Sequence, residues 1–268
     1  MRVNLQPGYV IHSRPYGDSS TLLDVFTAEF GRVGLVAKGA RKQTRKGSKS
    51  GLLQPFTPLL LSFSGGNELK TLRSVESAPG RVELAGDRLF SGLYLNELLV
   101  RLLHRDDPHP RLFAAYSDTV QELAHLQMID VGLRLFEMRL LEELGYRLEL
   151  TSEGVSGLPV SPEAFYHYQP GAGLVRRRAG ESSDDSPGAD SPGADLPGTD
   201  LPGTDLPGTD LLAMARGEIG GHVRQTARTL MRAALAAHLG EEPLKSRQLF
   251  AKAARKRPGA ASGQQDEE

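Results

Sequence analysis

The spacing of apolar residues changes character once along this chain, and that change limits the fold more than any single motif. Over the first 80 residues, apolar residues come in short runs separated by turn residues, as in β-strands. From Asp87 onward they recur at i, i+3 and i+4, as in helices. A chain built this way has an all-β N-terminal part and a helical C-terminal part. The expected class is a multi-domain α+β protein.

The N-terminal runs are Tyr9–Ser13, Ser20–Thr27, Arg32–Lys38, Thr57–Phe63 and Leu69–Val75. Glu29-Phe30-Gly31 and Ser64-Gly65-Gly66-Asn67 supply tight turns, and Pro58 suits the start of an edge strand. Five short strands without an intervening helix suggest a small closed barrel. The five-stranded barrel that commonly binds oligonucleotides is the OB-fold; an SH3-like barrel or a meander fits the same spacing.

The helical stripes run from Leu89 to Leu102, Leu112 to Leu123 and Leu133 to Leu144, with Gly145 placed as a C-cap. Residues 148–180 are irregular with some β character. A further helix spans His222 to Leu239, and a short one Leu244 to Ala254. Arg224, Arg228 and Arg232 fall at i, i+4 and i+8 as a basic ridge that an acidic partner or a second nucleic-acid strand could meet.

Between these helices lie five tandem pentapeptides, Ser186 to Asp210, reading SPGAD twice and LPGTD three times. Pro removes a donor, Gly adds backbone entropy and Asp repels Asp, so the stretch cannot offset its own ordering cost. A β-solenoid is disfavoured because each unit offers one Leu or Ser for a core. The organisation expected is a barrel over 1–80 and a helical domain over 81–180. A disordered insert over 181–210, the rest of the helical domain over 211–257 and a disordered tail over 258–268 complete it.

The net charge of −1 is a cancellation. Residues 1–80 carry +6, residues 81–180 carry −3, the insert carries −8, and residues 211–268 carry +4. The most basic stretch comes after the third strand: Lys38, Arg41, Lys42, Arg45, Lys46 and Lys49, with no acid among them. With Arg14, and with Lys70 and Arg73 on the last strand, these are the candidate phosphate contacts. Tyr16, in the turn Arg14-Pro15-Tyr16-Gly17-Asp18, is the candidate base-stacking ring. Tyr9, Phe26, Phe30, Phe56 and Phe63 read rather as core.

Catalytic signatures are missing from the sequence. It has no Cys and no GxxxxGK[ST], GxSxG, HExxH or GxGxxG, and its seven His are scattered. A non-enzyme without metal or cofactor is expected. No apolar run approaches a membrane span, and the N-terminus lacks a signal-peptide core. A soluble cytoplasmic, nucleoid-associated protein without membrane contact is the expectation.

Six segments, in order, resemble the bacterial DNA-repair family RecO. They are Tyr9–Tyr16 with Leu23–Thr27, Gly31–Arg41, Gly51–Leu59, Gly92–Leu98, Leu133–Glu137 and Leu244–Phe250. The resemblance implies an N-terminal OB-fold and a helical C-terminal domain that bind single- and double-stranded DNA and anneal complementary strands. It implies a mediator of the RecF pathway that works with RecR to load RecA onto DNA coated by single-stranded DNA-binding protein (SSB). The acidic, apolar SSB C-terminal tail docks on the helical domain in that family, and Arg134 is the matching candidate contact. Lys38 and Arg41 match the family's basic segment. Some members hold zinc through four Cys, which this chain lacks. The main alternatives are an OB-fold adaptor that binds only protein and an RNA-binding protein.

Overall fold

The computed structural model describes residues 1–41, 51–125, 129–177 and 205–255. Five strands come first: β1 (Arg2–Tyr16), β2 (Ser20–Thr27), β3 (Gly31–Ala37), β4 (Leu59–Ser64) and β5 (Leu69–Ser77). They close into an OB-like barrel in the order β1-β2-β3-β5-β4. β3 and β5 are parallel, with Gly34 opposite Leu69, and the other pairs are antiparallel.

Closure depends on the length of β1. Its residues 2–8 pair with β4 and residues 8–16 with β2, so one strand joins both edges. Bulges between Val3 and Gln6, and between Val10 and His12, supply the bend. The apolar pattern places the start of this strand at Tyr9, because Gln6-Pro7-Gly8 carries no alternation; the strand in fact begins at Arg2.

Alternation gives β1 and β2 two apolar faces. Val10, Leu23 and Val25 point into the barrel beside Val33, Leu35, Leu61 and Phe63. Tyr9, Ile11 and Phe26 point out and are buried against the helices. Those helices are α1 (Asp87–Leu102), α2 (Pro110–Leu123) and α3 (Ile129–Glu143). Pro110 sits at the first position of α2, where its missing N–H costs nothing. The Tyr9 and Tyr116 rings meet edge to face at 5.2 Å, and Tyr9 Oη lies 2.9 Å from Ser117 Oγ.

A polar junction completes this contact. Asp24 on β2 is buried, and Arg32 (3.1 Å) and Arg105 (2.7 Å) both pair with it. Arg32 also donates to the carbonyls of Val100 and, at 3.2 Å, Leu103, the unsatisfied acceptors at the end of α1. The turn after α1 lies so close to the barrel that a Cβ at Gly31 would fall 1.7 Å from the Asp107 carbonyl oxygen.

The third core holds a departure from the sequence reading. β6 (Phe165–Gln169) is flanked by β7 (Gly173–Arg176) and by β8 (Leu206–Pro207), which leads into α4 (Gly208–Ala215). β8 and the start of α4 are the fifth pentapeptide. Residues 205–210, expected as part of a disordered insert, are therefore ordered, while residues 181–204 and 258–268 lie outside the described residues. The physical reason is context. Leu206 is 2% exposed and packs with Tyr166, Leu211 and Met214. Gly208 approaches the Ser161 carbonyl so closely that a Cβ would lie 2.0 Å from its oxygen. The buried Asp210 carboxylate accepts from Thr226 Oγ1 at 2.5 Å and lies 3.1 Å from His222 Nε2. Two more helices follow among the described residues: α5 (Val223–Leu239), which closes this core, and α6 (Lys245–Arg255), which docks on α1.

Candidate nucleic-acid interface

The β1–β2 turn and the end of β3 meet at one end of the barrel. Tyr16 pairs with Ser20, and Thr21 pairs with Ala37. The Arg41 backbone N–H donates to Ser19 O at 3.1 Å, and its guanidinium donates to Gly17 O. β5 joins them: Val36 is opposite Thr71 in the parallel pair, so Lys38 and Arg73 each lie two residues beyond it. Arg73 is fixed by donating to Ser64 Oγ at 2.7 Å. Arg14, Lys38, Arg41 and Arg73 are all exposed, and Tyr16 is 48% exposed. Asp18 is the acid of that turn. This end of the barrel thus presents four exposed cations and one open ring, residue types that hold phosphates and stack a base.

Lys42, Arg45, Lys46 and Lys49 lie outside the described residues. Tyr9, Phe26 and Phe63 are buried, as their apolar strands suggest, and so is Phe56 in the turn before β4. Lys70 needs correction as a phosphate contact. It is 6% exposed, and its Nζ lies 2.5 Å from Asp106 Oδ1 at the barrel–helix junction. Lys70 shares its face of β5 with the buried Leu72, two residues on, whereas Arg73, the extra residue where the pairing with β4 shifts register, is exposed.

Arg134, the expected peptide contact, is also drawn inward. It is 7% exposed, 3.0 Å from Glu137 Oε1 and 3.8 Å from Asp130 Oδ1. Tyr94 Oη donates to Glu137 Oε1 at 2.6 Å. Burial holds the Glu137 carboxyl above the usual carboxylate range, against the opposing pull of Arg134. Burial likewise pushes the Tyr94 hydroxyl up, and the Glu137 charge adds to it. Glu137 Oε2 and Arg134 Nε make no hydrogen bond in this pocket of charge. The half-exposed cation of the cluster is Arg247 on α6, its guanidinium carbon 5.8 Å from the Tyr94 ring centre. Sequence reading missed Arg247, although it lies only three residues beyond the buried Leu244.

The α5 ridge is partly neutralised, since Arg228 lies 3.3 Å from Asp130 Oδ2. Among the described residues, no group of three or more His, Cys, Asp or Glu could hold a metal ion. No described helix is long and apolar enough to cross a membrane.

Both parts of the chain match family models. One described as Recombination protein O N terminal matches residues 1–80, and one described as Recombination protein O C terminal matches residues 84–248. The chain belongs to the RecO family. The DNA repair protein RecO of Alkalilimnicola ehrlichii is 43% identical, over 95% of this chain and 93% of the relative. That of Nitrosococcus oceani is 43% identical over 93% of this chain and 94% of the relative. That of Pseudomonas paraeruginosa is 42% identical over 91% and 94%. The RecO boundary at residue 80 coincides with the passage from barrel to helices. The C-terminal match stops at residue 248, inside α6.

Proposed function

We propose that this RecO-family chain acts in DNA repair as a non-enzymatic recombination mediator, holding single strands on the barrel rim and annealing them to their complements. The observation that carries this reading is the exposed set Arg14, Lys38, Arg41 and Arg73, with the exposed Tyr16, on an OB-like barrel. Four cations neutralise phosphates without reading bases, so binding is general and sequence-tolerant. Annealing then needs no covalent chemistry: screening the charge of two strands lowers their repulsion, and pairing energy does the rest. In the RecF pathway the protein would act with RecR to load RecA on SSB-coated DNA, in the cytoplasm. The acidic SSB tail would be met at the α1–α3–α6 junction, where Arg247 is the accessible cation and Arg134 lies beneath it.

The test is salt-dependent binding to mixed-sequence single strands. Four phosphate contacts give a log–log slope of about −3, and removing any one rim cation reduces it by about 0.7. A flat response would remove the rim from the mechanism. RNA that competes better than DNA would favour the RNA-binding alternative, and failure to bind either would favour the adaptor.

A further inference from the structure

The barrel–helix junction holds one more cation than its own ion pairing needs. Asp24 is a single carboxylate facing two guanidiniums, those of Arg32 and Arg105. Arg32 meets Oδ1 with two nitrogens, Nε at 3.2 Å and Nη2 at 3.1 Å, and its side chain is 14% exposed. Arg105 reaches the same oxygen with Nη2, at 2.7 Å, and its side chain is 34% exposed. Among the described residues, Asp24 is the hydrogen-bond partner of this guanidinium, so most of its N–H donors face no protein acceptor.

The strand register places Arg105 on the outer face of the barrel. Asp24 is opposite Gly34 on β3, and Gly34 is opposite Leu69 on β5. A Cβ at Gly34 would fall 2.2 Å from Arg105 Nη1 and 2.9 Å from Leu69 Cδ2, so the guanidinium lies against the bare β3 backbone. The loop that carries Arg105 is itself held on β3. Arg105 forms a parallel bridge with Arg32, and the Asp106 N–H donates to Arg32 O at 2.9 Å. A residue from beyond α1 thus becomes part of the barrel surface. His12, opposite Asp24 on β1, and Leu69 are exposed in the same row. Arg14 and Tyr16 follow His12 at two-residue steps and share its face. Tyr16 is opposite Ser20, which stands four residues from Asp24, about 13 Å along β2. The neighbouring acids Asp106 and Asp107 are paired with Lys70 and His109, and Glu68, beside Leu69, is exposed.

We propose that Arg105 is a phosphate contact supplied by the helical domain, and that a single strand held at Arg14 and Tyr16 continues over the outer face of β1, β2 and β3 to reach it. This rests on the reading of the rim as a DNA site and carries that site beyond the barrel's own residues. A guanidinium fixed by one N–H and open at the others can take a phosphate oxygen in its fork. Asp24 is then a positioning residue: it aims Arg105 while Arg32 balances its charge. A polyanion is the occupant because Asp24, Arg32 and Arg105 together carry a net positive charge, with Arg14 on the same face. A fifth contact moves the expected log–log salt slope from about −3 to about −3.5.

The experiment uses the full-length protein. It has no Cys, so Leu69→Cys places a unique thiol at an exposed position of this row. Leu158→Cys, exposed in the loop before β6, is the control. With oligothymidine at about ten times its Kd, a covered thiol reacts with iodoacetamide about tenfold more slowly. That protection is expected for Leu69→Cys and not for Leu158→Cys. In a second arm, Arg105→Gln should weaken oligothymidine binding and reduce the salt slope by about 0.7, and Arg105→Lys should restore the slope but not the full affinity. Melting temperatures show whether the Arg105 variants are folded; if Arg105→Gln melts early, the thiol arm decides. A Leu69→Cys thiol that stays reactive on protein holding oligothymidine overturns the proposal and leaves the rim reading standing. A folded Arg105→Gln with wild-type affinity and slope also overturns it. Protein that holds no strand refutes the rim reading as well.

Discussion

Two deletions that differ by one pentapeptide should behave oppositely. Removing 186–205 joins Asp185 to Leu206, so an aspartate still stands beside Arg177, which pairs with Asp205 in the intact chain. The fifth unit and its contacts are untouched. Shortening the connection between residue 177 and the fifth unit from 28 residues to 8 lowers the cost of closing it by about 1 kcal/mol. Removing 186–210 instead takes away Leu206, Gly208 and Asp210. The loss can be sized with Leu206→Ala alone: emptying a site that is 2% exposed costs about 3 kcal/mol. For a chain of this size that lowers the melting temperature by about 6–12 °C. Loss of the Asp210–Thr226 hydrogen bond adds about 1–3 kcal/mol in the larger deletion. Calorimetry on the wild type, both deletions, Leu206→Ala and the control Leu201→Ala gives the answer. A melting temperature for Leu206→Ala equal to the wild type's, or an equal drop from Leu201→Ala, would refute the assignment of the fifth unit to this core.

Three further outcomes are expected. Lys70→Ala should lower stability while leaving oligonucleotide affinity unchanged, and Lys38→Ala/Arg41→Ala should do the reverse; paired thermal melts and gel shifts decide it. Asp24→Asn should cost about 3 kcal/mol in urea unfolding, because it leaves Arg32 and Arg105 facing a neutral partner at a buried junction. Burial would raise the Glu97 carboxyl, but the hydrogen bonds from Ser246 and Lys245 outweigh it and hold Glu97 below the usual carboxylate range. A depressed folded pKa means the α6 cap is fully present above the ordinary value of 4.5 and is lost as pH falls through the lowered one. Hydrogen exchange of α6 should therefore quicken in acid, and Glu97→Gln should quicken it already at neutral pH.

Much of the architecture was legible because period and position carry it. β2 to β5 and the five longer helices lie where apolar spacing puts them, since each buries one face. What escaped depends on partners distant in sequence. The first half of β1 is specified by closure against β4 rather than by its own alternation. The fifth pentapeptide looks like its neighbours and differs only in its C-terminal flank, the apolar stretch Leu211 to Met214. Within the site, the signals for Lys70 and Arg134 were present but outweighed by their charge. Parity places Lys70 with the buried Leu72. Helical spacing places Arg134 with Glu137 and Leu141, on the stripe that faces the core.

The repeat array has a genetic consequence. Its last three units are identical, so loss or gain of one LPGTD unit anywhere among them yields the same protein sequence. Whichever copy then comes last is joined to Leu211, and it alone can place a leucine beside Tyr166 and a carboxylate beside Thr226. Replication slippage in this stretch would change the length of the chain while the junction with the fold stayed constant. Variation in copy number among related strains should thus be tolerated, whereas a point change in the final unit should not.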